Sequence, residues 1–414
     1  MAKASIITIG DELLIGQVTD TNSTWIASEL NKAGIRVIRR VAVGDDANEI
    51  RRALDQESSL ADVILMTGGL GPTADDITKP LLCEYFSGKM VQNAEVLAHI
   101  RHLFEVIYKR PLAERNIRQA DVPDTCNVIM NTRGTAPGML FRRNGKIFIS
   151  MPGVPFEMQG LMESAIPILK KELSLVKIMH RTLTTAGVGE SVLADLLMDF
   201  ESQLPSFIKL AYLPRYGMVR LRLTATGNEP DYEQELNKKF SSLLGLVSDH
   251  LVTDRDEPIE ATLGRLLREK KKTLCTAESC TGGYISHLIT SQPGASEYYE
   301  GSFITYSYNA KELLLHVDEK TLNEKGAVSE EVVLQMASGA LDKIKADYVV
   351  AVSGILGPGG GTPEKPVGTV WMAFGSRRKL ETRKFTFRWD RRRNAEMTAI
   401  QAMDNLRRFI LAEA

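Results

Sequence analysis

Val63-Ile64-Leu65-Met66-Thr67-Gly68-Gly69 is the stretch that decides the fold. Four apolar residues closed by a threonine and two glycines read as a buried strand ending at a turn. It is the third such strand: Ser5 to Ile9 is the first and Val37 to Val43 the second. Between the first two, Trp25, Ile26 and Leu30 line one face of a helix ending at Gly34. Between the second and third, Asp46 and Glu49 form a capping box. A β-α-β-α-β order predicts a parallel, doubly wound sheet with its site beyond the strand C-termini. Both acidic-glycine corners, Gly10-Asp11-Glu12 and Gly68 to Asp76, fall there. After Pro152-Gly153-Val154-Pro155, a helix through Met158, Leu161 and Ile166 closes this first domain, residues 1–172.

Outward from it, residues 173–256 read as strand (Thr182 to Ala186), helix (Val192 to Phe200), two strands (Lys209 to Leu213, Val219 to Thr226) and a helix through Leu236 and Phe240. That is a small α+β module of KH-like or ferredoxin-like type. A KH domain holds RNA through a GXXG clamp, and Gly187-Val188-Gly189-Glu190 lacks that spacing, so a spacer or dimer-forming role is the plainer reading. Residues 257–414 alternate strand and helix signals again, with strands at Thr273–Cys275, Phe303–Tyr306, Tyr348–Val352, Gly368–Phe374 and Lys384–Phe387. The fold class is α/β: two doubly wound α/β domains joined by the small module.

The 414 residues are 43% hydrophobic and 25% charged, with a formal net charge of −1. The balanced charge gives no nucleic-acid footprint, and no apolar run reaches bilayer length. A cytoplasmic protein is expected, without nucleic acid or membrane as partner, and as a homodimer. Cys83, Cys126, Cys275 and Cys280 have no paired metal spacing, and the six histidines do not cluster. Any metal would sit on oxygen ligands.

The chemistry concentrates at Thr276-Ala277-Glu278-Ser279-Cys280-Thr281-Gly282-Gly283, after the basic, strand-like run Lys270 to Leu274 and before a helix through Ile285, Leu288 and Ile289. A strand-to-helix corner exposes a side chain and aims backbone N–H groups at one point. Ser279 is a candidate nucleophile if a desolvated lysine takes its proton, and Lys311 follows on the next element. The competing reading has Ser279 or Thr281 capping the helix and Lys311 solvated. Cys280 is a rival nucleophile or a buried structural thiol. Val349 to Val352 runs into Ser353-Gly354-Ile355-Leu356-Gly357-Pro358-Gly359-Gly360-Gly361, a loop whose backbone approaches a ligand closely or simply turns.

These segments, with Ser307-Tyr308-Asn309-Ala310-Lys311, Gly326-Ala327-Val328-Ser329 and Lys365-Pro366-Val367-Gly368-Thr369-Val370-Trp371, resemble the C-terminal domain of the CinA family, the nicotinamide-nucleotide amidohydrolases. The resemblance implies hydrolysis of nicotinamide mononucleotide to nicotinic acid mononucleotide and ammonia, without a cofactor. It makes Ser279 the nucleophile, Lys311 its base and Tyr308 a nearby hydroxyl. Cys280, Thr281, Gly282, Gly283, Ser353, Gly354, Gly357 and Arg391 would contact substrate, with N–H groups of the Cys280–Gly283 corner holding the oxyanion. The family pattern puts a second basic residue where Ala395 stands, so Arg392 or Arg393 would serve the substrate phosphate instead.

In the first domain, Gly68-Gly69-Leu70-Gly71-Pro72-Thr73-Ala74-Asp75-Asp76 with Lys79 reads as an anion cradle, Thr73 capping the next helix. Asp75 and Asp76 in its first turn suit the helix dipole or a divalent metal ion, Mg²⁺ or similar. Together with Gly10-Asp11-Glu12, Asn22 and Pro152-Gly153 this stretch resembles the molybdopterin-binding-like domain that begins CinA proteins. That resemblance implies a metal-dependent ADP-ribose pyrophosphatase yielding AMP and ribose 5-phosphate, the whole chain then serving pyridine-nucleotide salvage. The alternative is a non-enzymatic nucleotide- or pterin-binding protein, or a competence-related partner.

Overall fold

The computed structural model describes residues 2–71, 73, 76–173, 175–215, 217–227 and 231–413. It divides into two compact units, Met1–Met179 with Thr226–Tyr232 and His180–Ala225 with Glu233–Ala414.

In the first unit, strands β1 (Lys3–Ile9), β2 (Arg36–Val43), β3 (Val63–Thr67), β4 (Asn127–Ile129), β5 (Gly138–Arg143) and β6 (Lys146–Met151) form one sheet in the order β2-β1-β3-β6-β5-β4. The β2-β1-β3-β6 part is parallel, while β6-β5-β4 is antiparallel. The sheet is therefore mixed where the sequence reading expected it parallel. The cause is legible in hindsight: Asn144-Gly145, both at positive φ, make the two-residue hairpin turn between β5 and β6.

Helices α1 (Thr21–Lys32), α2 (Ala47–Leu60), α3 (Thr78–Tyr85) and α4 (Pro155–Glu172) cover the two faces. Because successive strand residues point to opposite faces, the run Val63 to Met66 divides between two cores. Val63 and Leu65 pack with Ile26, Leu30, Met158 and Leu161 from α1 and α4. Ile64 and Met66 pack with Ile50, Leu54 and Leu82 from α2 and α3.

The second unit opens with the small module, whose strands β7 (Lys177–Ala186), β8 (Ile208–Arg215), β9 (Met218–Gly227) and β10 (Leu251–Thr253) lie in the order β8-β9-β7-β10, with helices α5 (Glu190–Ser202) and α6 (Tyr232–Leu246). Ala186, Met218 and Val252 join the same apolar core as Ile259, Leu263 and Met403 farther along the chain. After helix α7 (Ile259–Lys270), strands β11 (Leu274–Glu278), β12 (Tyr299–Ile304), β13 (Tyr348–Gly354), β14 (Thr369–Ser376) and β15 (Leu380–Thr386) form a second sheet, β12-β11-β13-β14-β15. Its first three strands are parallel and the last two antiparallel. Helices α8 (Tyr284–Thr290), α9 (Tyr308–Leu315), α10 (Glu330–Lys343) and α11 (Arg391–Ala412) complete it.

Several strand bounds shift, Lys384–Phe387 becoming Leu380–Thr386 and Thr182–Ala186 becoming Lys177–Ala186, and two of the shifts frame the site. The basic run before Leu274 starts as the end of α7, whose last residue is Lys270 and which Lys271 closes at φ 53. Arg268 and Lys270 suit the negative end of that helix, which outweighs any strand preference. β12 stops at Ile304, so Thr305 and Tyr306 lie beyond the strand, where their carbonyls accept from Lys311. Among the described residues no helix is long and apolar enough to cross a membrane.

Candidate active site

Strand β11 sets the corner. Its last residue, Glu278, is fully buried, and its carboxylate accepts from the N–H groups of Gly283, Ile285 and Ser286 at 2.8–3.1 Å and from Thr281 Oγ1 at 2.7 Å. One internal acid thereby satisfies the first donors of α8, which has Gly283 as its N-cap and no side-chain cap from Ser279 or Thr281. Freed of capping duty, Ser279 is anchored by its own N–H on Val352 O at 3.0 Å and turns its hydroxyl toward Lys311.

Lys311 Nζ lies 2.9 Å from Ser279 Oγ and donates to the carbonyl of Thr305 at 2.7 Å. The lysine is fully buried, in the first turn of α9, and no carboxylate pairs with it among the described residues. Burial lowers its pKa to about 8. A position near a helix N-terminus disfavours the ammonium further. The pair separated by 32 positions in sequence is thus one hydrogen-bonded unit.

The corner offers fewer oxyanion donors than expected from the sequence. Gly283 N–H is held by Glu278 and Gly282 N–H by Ser279 O at 3.1 Å. The N–H groups of Cys280 and Thr281 remain, taken by no other described residue. Cys280 is a buried thiol whose pKa burial pushes up to about 12. It packs beside Gly354, where an added Cβ would lie 3.2 Å from the sulfur and 2.7 Å from Val370 Cγ2.

The remaining residues frame the same strand ends. Arg391, first residue of α11, donates to Gly357 O at 2.8 Å and to Tyr306 Oη at 3.0 Å. Asn394, fully buried, fixes the loop through Leu356 O at 3.0 Å. Ser353 Oγ donates to Ala327 O at 2.7 Å, and Ala327 N–H donates to Tyr308 Oη at 3.2 Å, so both side chains hold the Gly326–Ala327 turn. Tyr308 makes no hydrogen bond to Ser279 or Lys311. Arg392 is exposed and paired with Glu396, and Arg393 with Asp390, which leaves Arg391 as the arginine of the three that reaches the glycine loop. Glu278, Tyr306 and Asn394 carried no role in the sequence reading. The signal for Glu278 was an acid at the last strand position, five residues before Gly283 at the helix start.

In the first unit a cleft of about 380 Å³ is lined by Gly10, Glu12, Gly68, Gly69, Gly71 and Asp76, with Pro152, Gly153 and Glu157 on its other side. Asn22 stands in an adjoining hollow of about 130 Å³ with Glu12 and Gly153. Gly68 is required here: its φ is 116, and a Cβ would meet Ile9 O at 2.1 Å. The anion cradle is partly closed, however. Gly10 N–H is taken by Val43 O, Gly68 N–H by Met151 O and Gly71 N–H by Asp76.

α3 begins only at Thr78, so neither Thr73 as its cap nor Asp76 in its first turn is realised. Asp76 instead closes its own loop, accepting from Gly71 N–H at 2.7 Å and from both the N–H and the hydroxyl of Thr73. Asp75 lies outside the described residues. Asp11 turns from the cleft to exchange hydrogen bonds with Asp45. Lys79, buried with a pKa lowered to about 8 by desolvation, donates to Gln119 O at 3.0 Å. Glu157, unassigned from sequence, carries a carboxyl held above the usual range by burial. Among the described residues no three His, Cys, Asp or Glu side chains converge as a metal cage. The donors present are oxygens, which suits an ion taking one or two carboxylates plus substrate phosphates.

Three protein-family models match the chain: the CinA C-terminal domain over residues 256–410, a probable molybdopterin binding domain over 5–171, and the KH domain of damage-inducible protein CinA over 180–244. A CinA-like protein of Cytophaga hutchinsonii is 46% identical over 407 residues, covering 98% of this chain and 97% of its own. Another, from Flavobacterium psychrophilum, is 43% identical over 412 residues, 99% of each. A crystal structure of a CinA superfamily protein from Klebsiella pneumoniae is 34% identical over 37% of this chain and 96% of its own, with a TM-score of 0.37.

Proposed function

From the premise that the chain belongs to the CinA family, we propose that its C-terminal domain hydrolyses the carboxamide of nicotinamide mononucleotide to nicotinic acid mononucleotide and ammonia. The observation that carries the reading is the buried Lys311 Nζ, 2.9 Å from Ser279 Oγ and without a carboxylate partner among the described residues. With a pKa near 8, about one molecule in ten holds it neutral at pH 7.

Neutral Lys311 takes the Ser279 proton as Oγ attacks the carboxamide carbon. The oxyanion faces the N–H groups of Cys280 and Thr281, each such donor being worth roughly 3 kcal/mol in the transition state. The lysine ammonium then protonates the leaving nitrogen, the C–N bond breaks, ammonia departs and an ester to Ser279 remains. Water, deprotonated by Lys311, attacks that ester, and the serine recovers its proton. Arg391 is proposed to meet the substrate phosphate, its fork exceeding the two bonds it makes to Gly357 and Tyr306. The purified full chain should release ammonia from nicotinamide mononucleotide, and Ser279→Ala should not. Full activity in that variant, or none in the parent, overturns the reading.

A second activity is proposed for the first unit, cleavage of ADP-ribose to AMP and ribose 5-phosphate. The cleft that joins glycine-lined backbone to Glu12, Asp76 and Glu157 favours it. A magnesium ion would be held by Glu12 and Asp76 together with the substrate's own phosphates, whose charge it would offset. The working form is proposed as a cytosolic homodimer.

A further inference from the structure

Within the second unit, a cleft of about 330 Å³ lies between the small module and helices α7, α8 and α11, away from the Ser279 hydroxyl. Its walls are largely apolar: Met218, Val252, Ile259, Leu288, Ile400 and the Tyr284 ring. The size is that of a small-molecule pocket, and filling such a surface with water alone is unfavourable.

Four carboxylates line it, and their partners sort them into two kinds. Asp256 is paired with Arg220 at 3.0 Å, and Glu257 with Arg265 at 2.8 Å. The other two are less fully paired. Glu396 gives one oxygen to Arg392 at 3.3 Å, while its Oε2 is buried and meets no donor among the described residues. Glu260 forms no ion pair among the described residues; burial holds its carboxyl above the usual carboxylate range, against the pull of its own backbone N–H and the charge of Arg215. Thr184, 4% exposed, also lines the cleft with a buried hydroxyl that meets no partner among the described residues. Two arginines, Arg215 and Arg220, line it too, both exposed and the second of them paired with Asp256.

An apolar hollow with unmatched acceptors calls for a cationic donor carrying an apolar body. We propose that this cleft is a second small-molecule site, taking a compact organic cation whose charged head meets Glu396 and Glu260 and whose body lies among Met218, Leu288 and Ile400. The site abuts the candidate active site through two helices. Tyr284 and Leu288 belong to α8, whose first N–H groups Glu278 holds, and Glu396 and Ile400 belong to α11, which begins at Arg391.

The test uses the full chain with benzylammonium as probe and benzyl alcohol as its uncharged counterpart, by titration calorimetry. Benzylammonium should bind one to one, about tenfold or more tightly than the alcohol, a charged hydrogen bond being the difference. It should slow amide exchange in residues 284–290 and 396–400. The double variant Glu260→Gln, Glu396→Gln should remove the preference for the cation. Leu288→Trp, which fills the cleft without altering a charge, should abolish binding of both probes. Equal binding of the two probes, undiminished cation binding in the double variant, no binding at all, or protection confined to other segments would each overturn the proposal.

Discussion

The Ser279 corner and the Gly68–Asp76 corner share their sequence elements, a parallel strand, glycines and an acid, though the acid ends the strand in the first and follows the glycines in the second, and they hold different chemistry. In both, the acid closes its own turn: Glu278 takes the N–H groups of Gly283, Ile285 and Ser286, and Asp76 those of Gly71 and Thr73. The difference lies in what packs on top. Over the first corner α9 places a desolvated lysine, so a nucleophile and a base are already assembled. The second corner opens into a cleft of carboxylates and backbone, with no such pair. An acid beside glycines therefore marks a closed corner, and the reaction is decided by the neighbouring element.

The largest effect should separate the two corners completely. Lys311→Met is expected to lower ammonia release more than a thousandfold while AMP formation from ADP-ribose is unchanged. It should also stabilise the protein. The folded-state pKa lies below the unfolded 10.5, so the folded lysine binds fewer protons. Its burial then opposes folding by about 3 kcal/mol below pH 8, a cost that fades as pH rises from about 8 to 10.5. The variant should accordingly melt above the parent at pH 7 and close to it at pH 10.5. A lower midpoint at pH 7 would show that the Nζ hydrogen bonds outweigh desolvation.

Glu278→Gln comes next. The amide turns one acceptor oxygen into an NH₂ group facing N–H donors, which leaves at least one buried donor unpaired. A loss of about 2–3 kcal/mol in urea unfolding is expected, with ammonia release down by one to two orders of magnitude. Unchanged stability would mean that water can enter the corner, and Glu278 would then be no more than a helix cap. Asp76→Asn should do less to stability, since its loop is exposed, but should reduce AMP formation about tenfold or more and leave ammonia release intact. Adding EDTA to the parent should do the same.

The layer order was legible because it follows from local patterns, buried four-residue runs and glycine corners, whereas local sequence left Ser279 and Lys311 open and their pairing, 32 positions apart, came from the family resemblance. What escaped was which way nearby acids turn. Asp76 and Glu278 lie only five residues from Gly71 and Gly283, but the sequence does not say that their carboxylates fold back onto those N–H groups, so the anion cradles looked more open than they are. The strand start moved because helix α7 reaches Lys270 and Lys271 closes it, the helix dipole favouring Arg268 and Lys270 in its last turn. The hairpin at Asn144-Gly145 was in plain view, and its two residues alone turn the sheet from parallel to mixed.

The smallest effect concerns Cys280, and it separates a serine mechanism from a thiol one. Burial keeps the sulfur protonated, with a pKa near 12, and Gly354 covers it, so it is neither ionised nor accessible at working pH. Its part in the corner is its backbone N–H, which alanine retains. Cys280→Ala should therefore keep ammonia release within about threefold and cost about 1 kcal/mol in stability through the lost packing. Iodoacetamide at pH 8 should leave the parent active. A large loss in the variant with unchanged stability would place the sulfur in the reaction, and the comparison of corners would have to begin from a thiol instead of the Ser279–Lys311 pair.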